Sequence, residues 1–139
     1  MLRIVPDPGV LIAGLISDKG APASLLRRWV QGQFQFVVSP LLLAELRDVA
    51  DRPKFRNYFP AEVAYELAHV LGLAAESSPD VTSGSRTTGD DGDAYLVHLV
   101  VSAGAFAVVT GDSELRAHTT DAFTAMTPRE LLELLDRLE

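Results

Sequence analysis

Four carboxylates stand in this chain at positions where an acid needs a reason to be. Asp7 lies between two prolines just after the apolar run Ile4-Val5, and Asp112 closes Val109-Thr110-Gly111. Asp93 opens a long apolar stretch, and Glu45 interrupts Leu41-Leu42-Leu43-Ala44 and Leu46. Brought together, four such groups repel one another, and a hard divalent cation with oxygen ligands removes that penalty. The rest of the composition narrows the chemistry further. There is no cysteine, which excludes disulfides, thiolate metal sites and cysteine nucleophiles. His69, His98 and His118 fall in unrelated segments without ligand spacing, so an oxygen-held metal is the alternative. Each acid also has a plain structural reading. Asp93 and Asp112 can open helices as N-caps, Asp7 can be a turn residue, and Glu45 can be solvated on a helix edge.

The elements that must position these acids alternate between strand and helix. Residues 2–5 form a short buried strand that enters a loop at Pro6-Asp7-Pro8-Gly9, followed by an apolar segment over 10–16. The pattern predicts a helix over 23–30, a strand over 33–38, and a helix opened by the N-cap and first-turn pair Ser39-Pro40 and ended at Arg52-Pro53. A further helix is expected over 61–73. The polar stretch 77–92 reads as a loop, 93–103 as a helix ended by Gly104, and 105–109 as a strand. Thr127-Pro128-Arg129-Glu130 is a full capping box that announces a last helix to about 138. Strands separated by helices imply parallel pairing, hence an α/β fold: a three-layer α/β/α sandwich around a parallel sheet of about four or five strands. Such a sheet places Asp7 and Asp112 at the same carboxyl edge, where ligands of these folds bind. Helical spacing puts Asp93 in line with Leu96, Val97 and Val100 on the inward face, and Glu45 half-buried on the flank of its helix.

Length and charge set the outer bounds. At 139 residues and 47% hydrophobic content, the reading is a single domain over 1–139. The start Met1-Leu2-Arg3 lacks the apolar region of a secretory signal, and no apolar stretch is long enough to span a bilayer, so a soluble, cytoplasmic protein is expected. A net charge of −7 argues against a nucleic-acid binder of the basic-patch kind, since lysine and arginine normally supply that affinity. It does not exclude an enzyme whose substrate meets a metal ion and a few local arginines.

The segments Ile4-Val5-Pro6-Asp7-Pro8-Gly9-Val10-Leu11-Ile12, Ser39-Pro40-Leu41-Leu42-Leu43-Ala44-Glu45-Leu46, Asp93-Ala94-Tyr95-Leu96 and Val109-Thr110-Gly111-Asp112 resemble, in order and spacing, the acidic motifs of PIN-domain nucleases. Arg52-Pro53-Lys54-Phe55 and Thr127-Pro128-Arg129-Glu130-Leu131-Leu132 resemble the subgroup of toxin components of toxin–antitoxin pairs. The resemblance implies that Asp7, Glu45, Asp93 and Asp112 are the catalytic, metal-binding acids of an Mg²⁺- or Mn²⁺-dependent endoribonuclease. It also implies a small antitoxin partner that docks in the acidic groove. Three positions depart from that pattern. Gly9 occupies the place where the family usually has an asparagine that orders the first acidic loop, and Pro8 replaces the commoner threonine. Gly92 thins the usual acidic run, so the partner of Asp93 is alternatively Asp90 or Asp91.

The expected reaction is hydrolysis of an RNA phosphodiester by a metal-activated water. Thr110 and Ser113 either support that water or a phosphate oxygen, or cap the turn. Arg86 and Arg116 are candidate phosphate contacts or simply solvated side chains. The alternative function is a PIN-like module weakened by changes such as Gly9 and acting through protein binding. A phosphorylatable receiver domain is disfavoured, because it needs a lysine near the end and the only lysines are Lys19 and Lys54. A homodimer is a further expectation, since Trp29, Phe55, Tyr58 and Phe59 lie in segments that need not all fit one core.

Overall fold

The structure is a computed structural model and describes residues 1–80, 94–117 and 123–138. Among these, the strands β1 (Arg3–Pro6), β2 (Gln35–Val38), β3 (Glu76–Ser77), β4 (Ala107–Val109) and β5 (Ala125–Met126) form one parallel sheet in the order β3-β2-β1-β4-β5. Around it lie α1 (Pro8–Ile16), α2 (Ala21–Val30), α3 (Pro40–Ala50), α4 (Ala61–Ala74), α5 (Ala94–Ser102), α6 (Ser113–Ala117) and α7 (Pro128–Leu138). A 3₁₀ turn at Pro53–Asn57 follows α3. This is the α/β/α sandwich expected from the alternation of elements.

The strand order has a direct consequence for function. From β1 the chain steps outward to β2 and β3, then returns to place β4 and β5 on the other side of β1. Right-handed crossovers therefore send α1 to α4 to one face and α5 and α6 to the other. The packing agrees: α1 lies against α2 and α3, α3 against α4, α5 against β1 and β4, α6 against β5, and α7 returns against α2. The direction of winding changes between β1 and β4, so the topological switch point, where sheets of this kind bind ligands, lies beyond the ends of those two strands.

The strands form where they do because both of their faces are covered. Ile4, Val5, Phe36, Val37, Ala107, Val108 and Val109 are fully buried, and such uninterrupted apolar runs mark central parallel strands rather than half-solvated ones. Each full aliphatic burial is worth about 1.5–3 kcal/mol. Two of the helices that lead into these strands end on glycine in the left-handed region: Gly32 after α2 (φ 80°) and Gly104 after α5 (φ 65°). Gly32 N–H to Trp29 C=O with Gln33 N–H to Arg28 C=O, and Gly104 N–H to Val101 C=O with Ala105 N–H to Val100 C=O, are paired reverse bonds that stop a helix abruptly. Arg3 ties the opposite, amino edge together. Its guanidinium donates to Ala103 C=O (2.8 Å) and Gly104 C=O (3.2 Å) and forms a two-pronged ion pair with Glu76, one bond of which is 2.8 Å.

Local expectations shift in identifiable places. No loop separates β1 from the next apolar segment, because Pro6 ends the strand and Pro8 occupies the first helical position, where a missing N–H costs nothing. The strand expected over 33–38 starts at Gln35, since Gly32 and Gln33 are consumed by the helix cap. The short strands β3 and β5 escaped sequence reading: two residues carry no periodicity, and only pairing with a neighbour defines them. Ser77 belongs to β3 rather than to the loop expected over 77–92, of which 81–92 lie outside the described residues. Three of the four aromatics behind the dimer expectation have places inside: Trp29 and Phe59 are buried, and Phe55 stacks on Phe59 at 6.0 Å, which leaves Tyr58 exposed. Among the described residues no single helix is long and apolar enough to cross a membrane.

Candidate active site

The register between β1 and β4 brings two of the four acids together. Pro6 lies opposite Val109, and Asp7 N–H donates to Val109 C=O at 2.9 Å, so the residues that follow the two strands, Asp7 and Thr110, are neighbours. Thr110 is fully buried, and its hydroxyl serves both acidic segments. It donates to Asp7 Oδ2 at 2.7 Å and accepts the Asp112 N–H at 3.0 Å. The other carboxylate oxygen, Asp7 Oδ1, accepts the Gly9 N–H at 2.9 Å, which makes Asp7 the N-cap of α1. Structural and chemical readings of Asp7 therefore coincide: capping and Thr110 hold the carboxylate in one orientation, and each oxygen keeps a lone pair for a further ligand. Asp112 is exposed and opens α6, with its carbonyl accepting the Arg116 N–H at 3.2 Å.

Both acids line one cavity of about 480 Å³. Asp7 and Gly9 reach it from the β1–α1 junction, Gly111 and Asp112 from the β4–α6 junction, and Thr127 and Arg129 from the β5–α7 junction; Val10 of α1 and Pro22 of α2 add apolar wall. Three successive strands, β1, β4 and β5, thus deliver their carboxyl ends to the same space. A Cβ built on Gly9 would meet Asp7 Oδ1 at 3.5 Å, ordinary contact, so nothing steric demands glycine there. The Gly9 amide orders the acidic loop from the main chain.

The other two acids stand differently. Glu45 is half-buried on the second turn of α3, as its spacing foretold, but is not among the residues lining this cavity. Its helix follows β2 and so starts at the same carboxyl edge, packed on α1. Asp93 lies outside the described residues, as do Asp90, Asp91, Arg86 and His118. Ala94, the next residue, begins α5, and a helix that leads into parallel β4 starts at the carboxyl edge. Among the described residues no three acidic or histidine side chains are gathered closely enough to hold a metal ion. The pair Asp7 and Asp112, both oxygen donors on an open cavity, nevertheless suits a hard divalent ion completed by acids from other elements.

Some contributors were not read from the sequence. Sequence pattern offers Thr110 as a turn cap or as support for a water or phosphate oxygen, whereas in the structure it joins the two acidic segments. Asp80, in the expected loop, accepts the Leu41 N–H at 2.8 Å and so caps the start of α3. Arg116, a candidate phosphate contact or simply a solvated side chain by sequence, is not on the cavity wall, but Arg129 is.

Comparison with protein-family models matches residues 3–114 to the PIN domain. The match covers most of the chain and includes Asp7, Glu45, Asp93 and Asp112. The chain belongs to the PIN domain family, whose members are in general nucleases that bind divalent metal ions, so family and fold together support a hydrolase. Among curated proteins none matches the chain.

Proposed function

We propose that this protein is a metal-dependent endoribonuclease and the toxin component of a toxin–antitoxin pair. Its site would hold Mg²⁺ or Mn²⁺ through Asp7, Glu45, Asp93 and Asp112. The observation that carries the reading is the Thr110 hydroxyl, which couples Asp7 to the Asp112 segment on the wall of a cavity at the switch point of the sheet. A divalent ion bound there supplies Lewis-acid polarisation of the phosphate and a water of lowered pKa.

The chain's own part is placement. Asp7 offers two oriented oxygens, Asp112 offers a second carboxylate from the segment after the neighbouring strand, and Thr110 keeps both segments from drifting. Val10 and Pro22 give the site an apolar wall. Loss of the usual asparagine at position 9 does not leave the loop unsupported, since the Gly9 amide bonds to Asp7 directly. That contact favours an active site over a purely protein-binding module. The test is a cleavage assay on structured and unstructured RNA, and on DNA, with Mg²⁺, Mn²⁺ or EDTA, run beside Asp93→Ala. Metal-dependent RNA cleavage lost in the variant supports the reading; equal cleavage by the clean variant protein, or none by the wild type, removes it. Co-purification with a short, basic protein encoded next to it tests the toxin assignment.

A further inference from the structure

Arg129 shares the acids' cavity but is not an acid, and it lies beyond residues 3–114 that match the family. It occupies the second position of α7, directly after Pro128, and its side chain is exposed. Its position is well fixed. Thr127 Oγ1 accepts the Glu130 N–H at 3.0 Å, and Glu130 Oε1 accepts the Thr127 N–H at 2.8 Å, so the first turn is locked by a closed pair of bonds that leaves the Arg129 guanidinium out. Among the other arginines Arg3 is engaged by Glu76, Arg27 by Asp18 and Ser24, Arg28 by Asp136 and Arg56 by Ala50, while Arg47, Arg52 and Arg137 stand off the cavity wall. Arg129 makes no hydrogen bond or ion pair among the described residues, although two carboxylates line the same space.

We propose that Arg129 is a substrate-binding residue that takes a phosphate of the RNA strand next to the one being cut. The inference rests on the nuclease reading above. β5 is the strand beyond β4, so the β5–α7 junction stands farther along the sheet edge than Asp7 and Asp112. A single strand laid across the carboxyl edge meets the acids at one phosphodiester and Arg129 at a neighbouring one. A guanidinium fork matches phosphate oxygens in shape as well as charge, and Val10 and Pro22 give the same cavity an apolar wall, suited to a sugar or base face. The cavity, about 480 Å³, is within the range that houses a ligand the size of one nucleotide. In a chain of net charge −7 a local cation at this place does what a basic surface does elsewhere.

The test compares wild type, Arg129→Gln, Arg129→Lys and Arg137→Gln, the last on the final turn of the same helix and off the cavity wall. Fluorescence anisotropy with a labelled ten-nucleotide single-stranded RNA, in EDTA to prevent cleavage, is run over a range of salt, with KM and kcat for Mn²⁺-dependent cleavage measured alongside. The expected result for Arg129→Gln is binding weaker by roughly 5–20-fold, a log–log salt slope reduced by about 0.7–1, and a raised KM with kcat little changed. Lysine at 129 keeps the salt slope, and Arg137→Gln behaves as wild type. Equal binding and slope for Arg129→Gln, or the same loss in Arg137→Gln, overturns the role of Arg129 while leaving the nuclease reading intact. A wild type that neither binds nor cuts RNA overturns both.

Discussion

Thr110→Val is the substitution that bears most directly on the site. Valine matches threonine in shape, so the change exchanges the hydroxyl for a methyl and leaves the rest of the side chain in place. Two bonds go with it, to Asp7 Oδ2 (2.7 Å) and from Asp112 N–H (3.0 Å). The first is charge-assisted and worth about 1.5–3 kcal/mol, the second about 1 kcal/mol. Water can reach half-buried Asp7 and exposed Asp112, and the added methyl recovers about 0.8 kcal/mol, so the net loss is about 2 kcal/mol. Unfolding entropy of about 2.1 cal/mol/K per residue over 139 residues is about 0.3 kcal/mol/K, which makes the expected fall in Tm about 7 °C. Freed from Thr110, the Asp7 carboxylate loses its fixed orientation, and an apparent Mn²⁺ affinity lower by about 10–100-fold follows. Thermal melts with and without Mn²⁺, with isothermal titration of the metal, measure both effects, and Thr110→Ser restores both. A Thr110→Val protein that melts and binds Mn²⁺ like wild type would refute the coupling.

Other substitutions separate structure from chemistry. Asparagine caps helices as well as aspartate does, but at position 7 it gives up the charge-assisted bond from Thr110, so Asp7→Asn is expected to lower stability by about 1 kcal/mol and lose cleavage by at least about 100-fold, whereas Asp7→Ala loses the cap as well and costs about 2–4 kcal/mol, read from urea curves. The Arg3 guanidinium beside Glu76 holds that carboxyl below its ordinary range. Its stabilisation is present above the unfolded value near 4.5 and is lost as pH falls through the lower folded value; the pair is about one-third exposed, so it amounts to about 0.5–1 kcal/mol. The stability difference between wild type and Glu76→Gln should therefore close below pH 4.5, and a gap unchanged down to pH 2 would contradict the pairing. At Gly14 a Cβ would sit 2.7 Å from Leu26 Cδ1 and 3.4 Å from the Pro22 backbone, so Gly14→Val should force α1 and α2 apart at a cost of about 1–3 kcal/mol, seen as a lower urea midpoint.

The sequence by itself determined the class of fold and the edge of the sheet at which Asp7 and Asp112 stand. Strand and helix periodicities alternate clearly enough in runs such as 2–5, 61–73 and 93–103 to demand a parallel sheet, and a parallel sheet sends the ends of its strands to one edge. The carboxylates of Asp7 and Asp112 could be placed there without coordinates because each directly follows, or nearly follows, a buried apolar run. The Gly104 cap and the Thr127–Glu130 box were legible for the same reason: they are local, and their chemistry is complete within a few residues.

What lay between elements was decided only in three dimensions. That Thr110 donates to Asp7 across 103 positions of chain depends on the register of β1 against β4, which no local pattern encodes. The two-residue strands β3 and β5 exist because a longer neighbour supplies hydrogen-bond partners, and β5 in turn carries Arg129 into the cavity. Strand order, not proximity in sequence, put the reversal of winding between β1 and β4, and with it the place where two acids and one arginine face a common space. Long-range pairing is a cooperative choice among many registers, settled by how the whole apolar core packs, and for that reason it is a property of the folded chain rather than of any segment within it.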